Sequence, residues 1–109
     1  YVPATPRSVV LDMRRLDRVR EVNPDDRYVV VEAGCTWERL HAALPPQWAL
    51  ETRAPLSGNY STVGGALAHG YPGGLKGVLA VEVVRASGEV FRTGSWGRER
   101  EGDPYYREY

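Results

Sequence analysis

The feature of this sequence that most limits its fold is a 22-residue window, Ala54 to Leu75, that contains no Lys, Arg, Asp or Glu. Half of the chain's 12 glycines fall inside it, together with Pro55 and Pro72. The window is too polar and too interrupted to span a bilayer. A core strand or helix would not need so many positions without side chains, whereas backbone that must approach another group closely would. The window therefore predicts a loop and a short helix built for close approach.

Its centre reads Pro55-Leu56-Ser57-Gly58-Asn59-Tyr60-Ser61-Thr62-Val63-Gly64-Gly65-Ala66-Leu67-Ala68-His69-Gly70. Ser61 or Thr62 is placed to cap a helix beginning Val63-Gly64-Gly65, and Val63, Ala66 and Leu67 recur at i, i+3, i+4 as an anchoring stripe. The first N–H groups of a helix lack internal partners and carry partial positive charge. Glycines there leave those amides open, which points to a phosphate-bearing cofactor held by dipoles rather than by a cation. An ordinary capped helix after a Gly-rich loop satisfies the same pattern, and a Gly-Gly pair alone does not separate the two.

The flanks predict an α+β chain. Ser8 to Met13 reads as a short strand, followed by a polar turn at Arg14–Asp17. Val19 to Val22 and Tyr28 to Ala33 read as strands joined by Asn23-Pro24-Asp25-Asp26, whose Asn, Pro and Asp residues suit a tight turn. Gly34 ends the second strand. Thr36 caps a helix running through Leu44, with Glu38 near its positive end and Trp37, Leu40, Ala43 and Leu44 on one face. Pro45-Pro46 stops that helix. Gln47 to Thr52 suggests another short strand, and Leu79 to Arg85 with Glu89 to Thr93 a hairpin around Ala86-Ser87-Gly88. From Arg98 to Tyr109 seven of twelve residues are charged, a pattern that fits a solvated tail or a connector.

Composition narrows the function. At 109 residues the chain makes one modest core. Fourteen basic and fourteen acidic residues cancel, so no basic face argues for nucleic acid or an anionic membrane. The single Cys35 excludes an internal disulfide and favours a cytoplasmic location; it reads as a small buried hydrophobe, with no His pair nearby to suggest a metal. No apolar leader is visible, and the chain opens on Tyr1 rather than Met.

The Pro55–Leu67 stretch resembles the second flavin-contacting segment of FAD-linked oxidases of the vanillyl-alcohol oxidase/p-cresol methylhydroxylase (PCMH) type. Three further stretches resemble that family in the same order: Val9-Val10-Leu11-Asp12-Met13-Arg14-Arg15-Leu16-Asp17, Val29-Val30-Val31-Glu32-Ala33-Gly34-Cys35-Thr36-Trp37, and Val78 to Val90. The resemblance implies part of a PCMH-type FAD-binding domain, a mixed sheet flanked by short helices. Residues 1–22 would end its first subdomain, 23–94 form the second, and 95–109 a charged connector. The family's first phosphate loop and its substrate-cap domain have no counterpart here, so a piece of a longer enzyme, inactive alone, is expected.

The resemblance also implies site residues. Pro55, Leu56, Ser57 and Gly58 would pass close to the flavin or its ribityl chain; Ser61, Thr62, Gly64 and Gly65 would line the ribityl and pyrophosphate path. Gly70 would close the loop after the helix, and Val83 would meet the adenine through its backbone, although a plain core-strand role fits Val83 as well. Tyr60 stands where berberine-bridge-type relatives place a flavin-linked cysteine, so a cysteinyl flavin is not expected. His69 reads as a helix-end residue and His41 as a solvated one; no residue is named as a catalytic base. The implied chemistry is hydride transfer from a hydroxy acid or alcohol to FAD, with the electron acceptor open. Thr62-Val63-Gly64-Gly65 also resembles the loop of FAD modules in molybdenum hydroxylases and enolpyruvyl-sugar reductases. A non-enzymatic α+β interaction module is the remaining alternative.

Overall fold

A strand needs a partner for its backbone, and a seven-residue helix needs caps and a packed face, because neither is stable by itself in water. The computed structural model, which describes residues 5–50, 59–70 and 76–94, supplies both in an α+β arrangement. The elements run β1 (Val19–Asn23), β2 (Tyr28–Val31), α1 (Trp37–Ala43), α2 (Val63–His69), β3 (Glu82–Val84) and β4 (Val90–Arg92). The chain divides into two compact units, Tyr1–Leu75 and Lys76–Tyr109.

In the first unit β1 and β2 pair antiparallel, with Val22 opposite Val29 and Asn23 opposite Tyr28, and a bulge lies between Val19 and Glu21. The Asn23 side-chain oxygen accepts the amides of Asp25 (3.1 Å) and Asp26 (2.9 Å), the Asx geometry that makes Asn a turn former. Arg27 completes the reversal with a positive φ of 57°. Tyr28 donates its hydroxyl to Glu21 across the pair at 3.2 Å.

Helix α1 begins as its sequence implies. The Thr36 hydroxyl accepts the Arg39 amide at 3.2 Å, and Glu38 sits in the first turn, where a negative charge favours the helix dipole. Trp37, Leu40 and Leu44 are buried together with Cys35 and Ala66, and Val19, Val29, Val31, Trp48, Leu50 and Val63 pack around them. Ala43, expected on the same face, is exposed instead; at about 3.6 residues per turn it falls to the side of the narrow stripe that Trp37, Leu40 and Leu44 form. The Trp37 indole N–H is buried with no acceptor among the described residues.

Two expected strands are corrected. Ser8–Met13 forms none: Val9, Val10 and Leu11 are 88%, 70% and 83% exposed. Apolar, β-branched composition favours an extended chain, but no described strand lies alongside to take the ladder hydrogen bonds. Residues 47–50 are likewise irregular; Trp48 donates its amide to the Pro45 carbonyl at 3.0 Å, folding that segment into a turn. Glu51 and Thr52, the rest of that expected strand, and residues 95–109 lie outside the described residues.

In the second unit β3 and β4 form the expected hairpin, with Val83 opposite Phe91 and Val84 opposite Val90. Gly88, at φ 86°, donates its amide to the Arg85 carbonyl at 2.8 Å. Glu82 pairs with Arg92 at 2.7 Å, and the Arg85 guanidinium lies 4.9 Å from the Phe91 ring centre. Both sheets are separate two-stranded antiparallel pairs, and no parallel pairing, hence no mixed sheet, is seen among the described residues.

Burial pushes the Cys35 thiol above its ordinary pKa. The folded chain then holds a proton that the unfolded chain releases, so this contribution to stability is fully present below about pH 8.5 and is lost as pH rises through the folded-state value. Urea midpoints measured at alkaline pH are expected to fall more steeply for the natural chain than for Cys35→Ala; equal slopes would show that the thiol titrates as if exposed.

Candidate cofactor site

The two helices start from a single place. Thr36 and Thr62, their N-caps, form an isolated antiparallel bridge; Trp37 donates its amide to the Ser61 carbonyl at 3.2 Å, and Val63 donates to the Cys35 carbonyl at 2.8 Å. Each threonine then caps its own helix, Thr62 by accepting the Gly65 amide at 3.1 Å. At the far end of α2, Gly70 adopts the left-handed conformation (φ 67°, ψ 38°) and donates to the Ala66 and Leu67 carbonyls, a C-cap that glycine adopts without strain.

The first-turn amides of α2 are not the open donors that the glycine pattern suggested. Val63 N–H goes to Cys35, Gly64 N–H to the Ala33 carbonyl at 2.9 Å, and Gly65 N–H to the Thr62 hydroxyl. The edge of the Ala33–Thr36 segment lies against the helix start and takes the first two of those donors. Gly64 is accordingly a glycine for a packing reason: a Cβ there would stand 2.6 Å from the Ala33 Cβ and 2.9 Å from its Cα and carbonyl oxygen. Gly65 is different. It is exposed, and a Cβ there would meet only the Thr62 hydroxyl, at 2.9 Å.

The remaining expected residues are distributed as follows. Ser61 and Thr62 are half-buried at the bridge. Pro55, Leu56, Ser57 and Gly58 lie outside the described residues. Val83 belongs to the second unit, 36% exposed on β3. His69 is exposed in the last turn of α2. The His41 ring is exposed but not free in solvent, since its Nδ1 lies 2.7 Å from the Trp37 carbonyl. Tyr60 is 82% exposed.

Sequence reasoning missed the pair Ala33-Gly34, which it treated only as the end of a strand. Gly34 is buried, and a Cβ there would come within 2.0 Å of the Met13 carbonyl oxygen and 2.5 Å of that of Leu16. Two adjacent small residues after a β-branched run were the available signal, but which segments press against them is a tertiary fact.

Three observations fit the anionic part of a dinucleotide cofactor. Gly65 presents a surface without a side chain, the first turn of α2 holds no acidic residue, and the Thr62 hydroxyl, accepting one bond, keeps its own proton to donate. An α+β unit with such a helix start, preceded in sequence by a Gly-rich charge-free stretch, leaves room for a phosphate-bearing cofactor. A family profile described as an FAD binding domain matches residues 2–94; the chain belongs to that family, and its cofactor is FAD. No match to a solved structure was found.

The Thr62 cap is expected to contribute about 1 kcal/mol. Denaturant titration of Thr62→Ala should show a loss of that order, and Thr62→Ser should recover most of it. An unchanged Thr62→Ala midpoint would show that the cap is dispensable.

Proposed function

We propose that the chain is the FAD-binding part of an oxidoreductase that oxidises a hydroxy acid or alcohol. The family match over residues 2–94 carries the cofactor half of this reading; the order of the four segments resembling PCMH-type oxidases supports the reaction. On this reading residues 1–22 close one subdomain, 23–94 make the second, and 95–109 connect onward. Activity belongs to the whole enzyme, and this portion supplies binding.

The roles follow from the chemistry of each position. Thr62 donates its hydroxyl proton to a pyrophosphate oxygen, and Gly65 lets the phosphate approach without meeting a Cβ. Ser61 lies on the same path. Pro55, Leu56, Ser57 and Gly58 border the ring and ribityl chain, and Val83 contributes backbone to the adenine. Gly64 and Gly70 hold α2 in place, one at each end. Bound FAD supplies the hydride acceptor; the chain orients it. Among the described residues no helix is long and apolar enough to cross a membrane.

Titration of the protein with FAD, followed by flavin absorbance and fluorescence, should give saturable uptake. Gly65→Leu should weaken it at least tenfold, with a loss of stability no larger than that of Thr62→Ala, whose hydroxyl the new Cβ would displace; unaltered affinity would remove Gly65 from the site. Anaerobic addition of 2-hydroxy acids and alcohols to the FAD-loaded whole enzyme should bleach the flavin, and failure of both classes would overturn the proposed reaction.

A further inference from the structure

We infer that Ala33 and Gly34 are positioning residues for the FAD loop, setting the place of α2 through direct backbone-to-backbone packing. This rests on the reading of Thr62 and Gly65 as cofactor contacts. Three backbone segments are stacked here with nothing bulkier than a methyl group between them. On one side Gly34 donates its amide to the Leu16 carbonyl at 2.7 Å and lies so close to the Met13–Leu16 turn that a Cβ would stand 2.0 and 2.5 Å from its two carbonyl oxygens. On the other side the Ala33 carbonyl takes the Gly64 amide at 2.9 Å, and the Ala33 methyl fills the space a Gly64 Cβ would need.

The sizes of residues 33, 34 and 64 therefore fix where α2 begins, and with it Thr62 and Gly65. A methyl group added at position 64 would stand 2.6 Å from the Ala33 Cβ, against an ordinary carbon–carbon contact of about 3.5–4.0 Å. Relief requires a displacement of about 1 Å, enough to misplace groups that bind a ligand. The glycine pair in α2 thus divides its work: Gly65 faces the cofactor, and Gly64 faces the turn that locates it.

A size-exchange cycle tests this. The natural protein, Gly64→Ala, Ala33→Gly and the double variant are each measured for FAD affinity by titration and for melting temperature without FAD. Gly64→Ala should weaken FAD binding at least tenfold, and Ala33→Gly alone by less than threefold. The double variant should recover part of the lost affinity, because the closest contact is gone while the Ala33 Cα and carbonyl oxygen remain at 2.9 Å. A role in stability alone would lower the melting temperature and leave the affinity of the folded protein intact. Gly64→Ala binding FAD within threefold of the natural protein overturns the inference, as does a double variant no better than Gly64→Ala. If Gly64→Ala does not fold, the double variant carries the test, and its failure to fold or bind is equally decisive. No uptake by the natural protein would instead refute the cofactor contacts themselves.

Discussion

The first unit depends on one backbone turn, Glu32 to Thr36. Glu32 donates its amide to the Arg18 carbonyl at 2.9 Å, Gly34 to Leu16, and Cys35 back to Glu32 at 3.0 Å; Ala33 and Cys35 accept from Gly64 and Val63. Thr36 closes the set by bridging Thr62. A net contribution near 1 kcal/mol for each such bond is modest, but here the bonds share five consecutive residues and fix three segments relative to one another. The buried apolar cluster is small, with Cys35, Trp37, Leu40, Leu44 and Ala66 at its centre. Direction therefore comes from the turn and cohesion from the cluster. Gly34 shows how narrow the fit is, since even a methyl group has no room.

What the sequence made legible was local. The Thr36 and Thr62 caps, the Asn23 turn, the Pro45-Pro46 stop and the Gly88 hairpin all follow from side chains acting on their own neighbouring backbone, so a linear reading finds them. The glycine window was legible as a place of close approach, and the family profile over residues 2–94 bears out FAD as the chain's cofactor. The partner of that approach was not legible. Gly64 meets Ala33, thirty-one positions earlier in the chain, and no local rule connects the two. Ser8–Met13 failed for the complementary reason. Its residues favour extension, but pairing is a property of neighbours, and Val9, Val10 and Leu11 have none in the described fold.

Charge plays little part in this arrangement. The helix starts are held by hydroxyls and carbonyls; of the ion pairs that join separate segments, Asp17 with Arg39 lies at the first turn of α1 and Glu82 with Arg92 across the hairpin. Both are partly exposed, and exposed pairs add little stability in water. Their value is geometric, since each joins segments that the backbone already brings close.

Cys35 gives this design a chemical consequence. It is fully buried, its thiol directed to the Thr36 carbonyl at 3.5 Å, and its own carbonyl anchors α2 through Val63. Reduced flavins that encounter oxygen generate peroxide, and peroxide attacks thiolates first. Here the chain's one sulfhydryl is withdrawn from solvent, and burial keeps its pKa above the ordinary value, so the residue joining the two helix starts is also poorly placed to react with oxidants such as peroxide.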